Sequence, residues 1–388
     1  MASVATIVSP EDVQAWGQQL DSVVHRIASR FARSEARRRV RAYLIGLLGP
    51  VQRKNSWQLA EQVGDESPDA VRHLLGRPHW DPDEVRDDLR AYAVGAPGDP
   101  DAVLTLDETG SLKKGKHSAG VARQYAGTAG RIGNARVGVS RAYAGRHGTA
   151  FLDRALYLPE GWADDPARCE KAGIPGGTAF ATKAGSAGER LARAFEAGGP
   201  AAWVTGDEVD GSDGELRRRL ETEGRPSVPA VRENRYVWRG LGQPEVGALA
   251  KAFPKRARHT IRIARGCKGP RRYARAWPPM NHDPGPKWRR WLLVRRSLDA
   301  SEERAYYLAA GPKRTTLTRS AVTAGARWPI EGGFEAAKQG VGLAGYEVRS
   351  RAGWHRHVTL ALLAHAVLAV VRTVAEEAPK KSRRTAAG

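Results

Sequence analysis

Cysteine is nearly absent from these 388 residues, with only Cys169 and Cys267 present. Two cysteines cannot build a zinc cluster by themselves, and nothing indicates a disulfide framework, so a reducing compartment fits. The N-terminal stretch MASVATIVSPEDVQAWGQQL lacks a charged segment followed by an apolar core, so no signal peptide is expected. Long hydrophobic runs are missing as well. The longest, VTLALLAHAVLAVV at 358–371, is too short to span a bilayer and carries His365, so a buried helix is expected there. Repeats of fixed period are absent. GTAGRIGN at 127–134 lacks the Gly-Lys-Ser/Thr ending of a phosphate loop and reads as a turn. Acids are scarce: 42 stand against 63 Lys and Arg, for a net charge of +21. A polyanionic partner follows, unless the surface is merely basic without a specific role. Because the basic residues run through the whole chain, a nucleic-acid track suits them better than a polybasic membrane anchor.

With 41% hydrophobic residues, the chain is expected to be globular, with two or three domains. Residues 10–49 read as helical, with Val13, Trp16, Leu20, Val23, Val24 and Ile27 at helical spacing and RRRVR at 37–41. Three short helices follow. Ser67 with Pro68 and Asp81 with Glu84 mark the starts of the second and third. Compact basic helical units of this kind either grip DNA through one helix or only pack. From 103 the pattern mixes strand and helix: VLTLD, RVGVSRAYA, GTAFLDRALYLP, AAWVTGD and PSVPAVREN read as strands, and GERLARAFEAG as a helix. WLLVRRSL and ERAYYLAAG read as two paired strands. KKSRRTAAG at the end reads as a disordered basic tail.

VLTLDETG and AWVTGDEVDG share one design, an apolar strand running into Asp-Glu with Gly close behind. Each alone is ordinary turn chemistry. Brought together beyond strand ends, however, two carboxylates repel until a cation neutralises them, and Mg²⁺ favours such carboxylates with phosphate oxygens and water. ARWPIEGGFEAAKQGVG at 326–342 reads as a helix from Trp328, with Arg327, Glu331, Phe334 and Lys338 on one face. Ordinary i, i+4 ion pairing describes that face too. The combination of Asp107, Asp207 and Glu331 on a very basic chain favours a metal site.

The chain resembles the DDE transposases of bacterial insertion sequences, and more narrowly the insertion-sequence 701 type within the insertion-sequence 4 superfamily. The resemblance runs from about Phe31 to Arg372. It rests on KNSWQLAEQVGD, VLTLDETGSLKKGKHSAGVARQYAGTAGR, AAWVTGDEVDG, RWPIEGGFEAAKQGVGL and YEVRSRAGWHRHVTLALLAH. It implies a mixed α/β protein with an RNase H-like catalytic core, a β-rich insertion and a preceding helical N-terminal DNA-binding domain. Implied boundaries are 1–98 for that domain, 99–234 for the first part of the core and 235–320 for the insertion. The C-terminal catalytic helices then occupy 321–375 and the basic tail 376–388. Asp107, Asp207 and Glu331 become the catalytic acids holding two Mg²⁺ ions, with Mn²⁺ able to substitute. Of the superfamily's Y-x2-R-x3-E-x6-K signature, Arg327, Glu331 and Lys338 match, whereas Ala324 holds the Tyr position and Gly332 and Gly333 follow the glutamate. Asp210 stands where relatives carry an aromatic residue.

Arg327 and Lys338 are then expected to bind phosphates beside the scissile bond, and Lys113, Lys114 and Lys116 to line the DNA path. Glu108 and Glu208, pointing away on alternating strand geometry, are expected to be structural. His355, His357 and His365 are expected in the core or facing DNA, and Trp277, Trp288 and Trp291 as base wedges or strand packing. The implied function is cleavage and strand transfer of insertion-sequence ends on double-stranded DNA, by a homodimer in the bacterial cytoplasm and without membrane. A decayed or co-opted sequence-specific DNA-binding protein and a stand-alone DNA endonuclease are the alternatives.

Overall fold

Helix α1 (Pro10–Ile27) begins where Ser9 and Asp12 cap each other's backbone N–H groups, with Pro10 in the first turn. The computed structural model describes residues 9–76, 80–95, 99–145, 148–197, 201–253, 259–266, 269–276, 284–297 and 303–377. The helical reading of 10–49 breaks at Phe31, which is extended and buried and separates α1 from α2 (Ser34–Leu48). Its ring packs against Trp80 at 5.1 Å, and its carbonyl accepts a hydrogen bond from Arg37. Helices α3 (Ser56–Gln62), α4 (Asp69–Gly76) and α5 (Pro82–Gly95) are the three short helices expected. Asn55, Ser67 and Asp81 accept first-turn N–H groups, which is why each helix starts where it does.

Strands β1 (Val103–Leu112), β2 (Ala122–Ala126), β3 (Arg131–Gly145) and β4 (Gly148–Leu156) form an antiparallel meander around the long β3. The expectation that the first strand stops at Asp107 and Glu108 is corrected here. β1 continues to Leu112 because β3 keeps pairing with it, from Asp107↔Ser140 to Leu112↔Ala135. Gly110 allows this: a Cβ there would stand 2.9 Å from that of Ala126. GTAGRIGN is partly a turn, closed at Gly130 with φ 61°, and from Arg131 it is strand.

After α6 (Glu160–Ala163), α7 (Pro166–Lys171) and α8 (Lys183–Glu196), the short β5 (Trp203–Thr205) joins β1 in parallel. Helices α9 (Glu208–Ser212) and α10 (Gly214–Thr222) follow. The strand expected over PSVPAVREN shrinks to β6 (Ala230–Val231), because Pro226 and Pro229 donate no N–H to a ladder. Ser227 bridges Val204 on one side and Ala310 on the other. Through it a second sheet continues from the first. After α11 (Val246–Lys251), this sheet comprises β7 (His259–Gly266), β8 (Gly269–Ala276), β9 (Trp288–Ser297) and β10 (Arg304–Pro312), in the order β6-β10-β9-β8-β7.

Helices α12 (Leu317–Gly325), α13 (Trp328–Gly340) and α14 (Arg351–Glu377) complete the fold. α14 is long and apolar enough to cross a membrane, but it lies buried between β4 and helices α2, α4 and α5. Leu360, Leu362 and Leu363 lie in its core, which reaches the N-terminal helices through Leu44, Leu47 and Leu89. On the opposite side Trp203, Trp291, Leu293, Tyr307 and Ala324 pack between the sheet and α12. Ala324, at the signature's Tyr position, therefore faces the interior. The expected tail beyond Glu377, Trp277 and Cys267 lie outside the described residues.

Candidate active site

The parallel register of β1 and β5 pairs Val103 with Trp203, Leu104 with Val204 and Thr105 with Thr205. Asp107 and Asp207 each come two residues after the last pair, close enough for Asp207 to raise the Asp107 pKa. Asp107 Oδ1 accepts the Glu108 N–H at 2.7 Å. Asp207 caps α9, its Oδ1 accepting from Val209 at 2.8 Å and from Asp210 at 3.0 Å. Each of these contacts uses one carboxylate oxygen and fixes the side chain. Asp210, from the first turn of α9, is 7% exposed and completes a group of three aspartates.

The electrostatics follow from this crowding. Burial pushes the Asp107 carboxyl up to about 7; the Glu108 N–H and the Arg327 guanidinium oppose the rise, whereas Asp207 and Glu331 add to it. Asp210 is held well above the usual carboxylate range by burial, then by Asp207 and Asp107. From α13, Arg327 pairs with Glu331 at 3.0 Å, and the Glu331 side chain is 61% exposed. Lys338 Nζ lies 3.4 Å from the Gly110 carbonyl, with burial lowering its pKa and Asp107 opposing that. On α13, Phe334 is buried against Phe151, and Arg327 and Lys338 lie within electrostatic reach of Asp107. Gly332 and Gly333 do not end α13. Gly333 packs on Phe151, where an added Cβ would stand at 3.5 Å.

Among the described residues, no three His, Cys, Asp or Glu side chains close into a metal-binding group. Asp107 and Asp207 are brought together; Glu331 is within electrostatic reach but is turned onto Arg327. The physical reason is charge: clustered carboxylates repel, and a guanidinium is the nearest cation. The donors nevertheless suit a hard divalent ion, since all are carboxylate oxygens and Asp107 already binds a proton unusually tightly.

The three lysines of GSLKKGKHS divide. Lys113 turns inward, lying 3.7 Å over the Tyr346 ring and bonded to the Tyr346 carbonyl, and burial followed by Arg136 pushes it down to about 8. Lys114 and Lys116 are exposed. Glu108, on the face of β1 opposite Asp107, pairs with Lys183 at 2.6 Å, and Glu208 with Arg232 at 3.7 Å. His355, His357 and His365 are buried in α14. Trp291 is fully buried against Trp203, which removes it as a base wedge; Trp288 is half-buried. Sequence reasoning missed Asp210 as a member of the acidic group. The available signal was its spacing, three residues after an Asp that caps a helix, which turns it back toward that cap.

The family model described as DDE superfamily endonuclease matches residues 26–277, a span that includes Asp107 and Asp207 and ends before Glu331. The chain is also similar to a probable transposase for insertion sequence element IS701 from Microchaete diplosiphon, at 32% identity over 97 residues. That alignment covers 25% of this chain and 25% of the relative, so the chain spans only a quarter of the length of the protein it matches.

Proposed function

The chain belongs to the DDE superfamily of endonucleases, and from that membership we propose that it is a transposase that cuts and joins the ends of its own insertion sequence. The observation that carries the proposal is the Thr105↔Thr205 register, two residues before Asp107 and Asp207, with Asp207, Arg327 and Glu331 all within electrostatic reach of Asp107. An RNase H-like core is supported by the neighbours β4, β3, β1 and β5, antiparallel up to β1 and parallel at β5. In this reading the helices of 1–98 grip element-end DNA, 235–320 clamps it and 321–375 carries the third acid. The assembly is a homodimer on double-stranded DNA in the cytoplasm.

Asp107, Asp207 and Glu331 are the residues that would hold two Mg²⁺ ions, or Mn²⁺ in their place. When bound, such ions stabilise the attacking and leaving oxygens of phosphoryl transfer. The chain supplies the rest. Asp107, whose carboxyl burial holds up to about 7, would have to be ionised to serve as a ligand. The α9 N–H groups hold Asp207 in place and leave its second oxygen available. To join the aspartates Glu331 would have to leave Arg327, which would free the guanidinium for a DNA phosphate, and Lys338 would neutralise a neighbouring one. Lys114 and Lys116 follow the DNA backbone, while Lys113 anchors their turn on Tyr346.

A second reading, a DNA-binding protein without chemistry, is favoured by one observation: Glu331 is exposed and paired with Arg327. Single-turnover cleavage of element-end DNA with Mg²⁺ or Mn²⁺ separates the two. Cleavage that falls by about 10³-fold or more in Asp107→Ala, with DNA binding retained, supports the transposase, because several kcal/mol of charge stabilisation is lost. Binding without cleavage under either metal supports the second reading. Joining of pre-cut 3′-hydroxyl ends then distinguishes a transposase from a stand-alone endonuclease, which yields no joined product.

A further inference from the structure

A cleft of about 350 Å³ opens between α10, the segment 235–238 and strands β9 and β10. Its walls bring together four guanidiniums, those of Arg217, Arg218, Arg235 and Arg290, against one carboxylate, Glu221. That carboxylate is already engaged: Arg290 donates to both of its oxygens, at 2.8 and 2.5 Å. Arg217 donates to the Gly211 carbonyl, and its pKa is pushed down to about 10 by burial and then by Arg235. Positive charge is therefore crowded here beyond what the local acids balance, and an anionic ligand relieves it.

The rim of the cleft is aromatic. Residues 236–245 form a small hairpin, bridged at Tyr236↔Glu245 and Arg239↔Gly242 and turned at Gly240 with φ 62°. Its base is firm, because Val237 is buried with Val246 and Leu249. Its outer side chains are not buried: Tyr236 is 61% exposed, Trp238 52% and Leu241 fully. Large apolar rings on an anchored hairpin, beside unbalanced arginines, suit flat aromatic groups joined to phosphates. A duplex hides its base faces by stacking, whereas an unpaired strand offers them. The volume of the cleft is at the small end of ligand pockets, the size of a nucleotide and too small for a double helix.

We propose that this cleft binds an unpaired DNA strand, with backbone phosphate among Arg217, Arg218 and Arg235 and a base stacked on Trp238. The inference rests on the DNA-processing reading and deepens it: the strand separated at the cut would be held here. It also replaces Trp291, which the core has taken, with an aromatic residue that is accessible.

The test uses the full chain without divalent metal and measures anisotropy of labelled element-end duplex and of an oligothymidylate of about 12 nucleotides. Trp238→Ala is expected to weaken oligothymidylate binding by about tenfold and duplex binding by less than about twofold. Trp238→Phe is expected to restore most of the loss, because it keeps a ring to stack on. Arg235→Ala is expected to reduce the salt slope for the single strand by about 0.7. Unchanged oligothymidylate affinity in both alanine variants overturns the inference while leaving the transposase reading intact. Thymidine monophosphate competing as well as the oligonucleotide overturns it in favour of a free-nucleotide site. Failure of the wild type to bind either DNA removes both readings together.

Discussion

If Asp107 holds a metal ion as proposed, a proton and a divalent cation compete for its one carboxylate. Its carboxyl is neutral below about 7 and ionised above it, and only the ionised form is a ligand. Mn²⁺ affinity, measured by titration calorimetry, is therefore expected to weaken by about tenfold per pH unit below 7 and to level off above it. Arg327→Ala is expected to move the bend to higher pH, since the guanidinium opposes the rise. A flat profile between about pH 5.5 and 7.5 would show that Asp107 is not the titrating ligand. His357 and His365 act on stability with a different sign. Burial pushes both from an ordinary 6.5 down to about 4. The unfolded chain takes up these protons near 6.5, whereas the folded one resists until about 4. Their contribution to stability is thus whole above 6.5 and is lost as pH falls through 4, by up to ~3 kcal/mol each. Denaturant unfolding at about pH 7 and pH 5 should show this loss, and His365→Phe should reduce it.

Between elements, two contacts decide where functional groups stand. A Cβ on Gly211 would run into the Ala230 carbonyl, so α9 can approach β6 only with glycine there. Gly211→Ala is expected to cost about 1–3 kcal/mol in denaturant unfolding and, by displacing Asp207, to lower cleavage more than DNA binding. Tyr43 in α2 and His357 in α14 are joined at 2.7 Å, and the other His357 nitrogen donates to the Gly342 carbonyl at 3.0 Å. That pattern fixes the neutral tautomer with the proton on Nε2, so the Tyr43 hydroxyl is the donor to Nδ1. Tyr43→Phe leaves a buried acceptor without its donor and is expected to cost about 1–3 kcal/mol. Should the melting curve be unchanged, the link between the N-terminal helices and α14 is not made through this pair. At this scale the sequence was legible for helices: α13 and its Arg327, Glu331, Phe334 and Lys338 face, and the caps at Ser67 and Asp81, depend on neighbours within one or two turns. The extent of β1 was not legible, because it is set by β3, some thirty residues away in sequence.

Taken whole, the molecule carries +21 net charge, with basic residues on every part of the chain. Binding to DNA is expected to fall by about 10³-fold or more between 50 and 200 mM salt, as displacement of condensed counterions by many Lys and Arg contacts requires. A fluorescence titration across that range checks it, and an affinity that barely changes would remove the basic-track argument. The long apolar helix is explained at this scale too. α14 is apolar on most sides because β4 and helices α2, α4 and α5 surround it, and burial rather than a bilayer accounts for its composition.

The sequence by itself determined the basic character, the helical elements and the motifs carrying Asp107, Asp207, Glu331, Arg327 and Lys338. These are local properties: composition, a period of 3.6 residues and strand-length apolar runs. Tertiary structure alone decided which of those side chains meet. The Thr105↔Thr205 pairing brings Asp107 and Asp207 together across a hundred residues of chain, and α13 carries Arg327 and Glu331 within electrostatic reach of Asp107. Pairing register and burial depend on partners far away in sequence, and no local pattern encodes the balance of charge that follows from them.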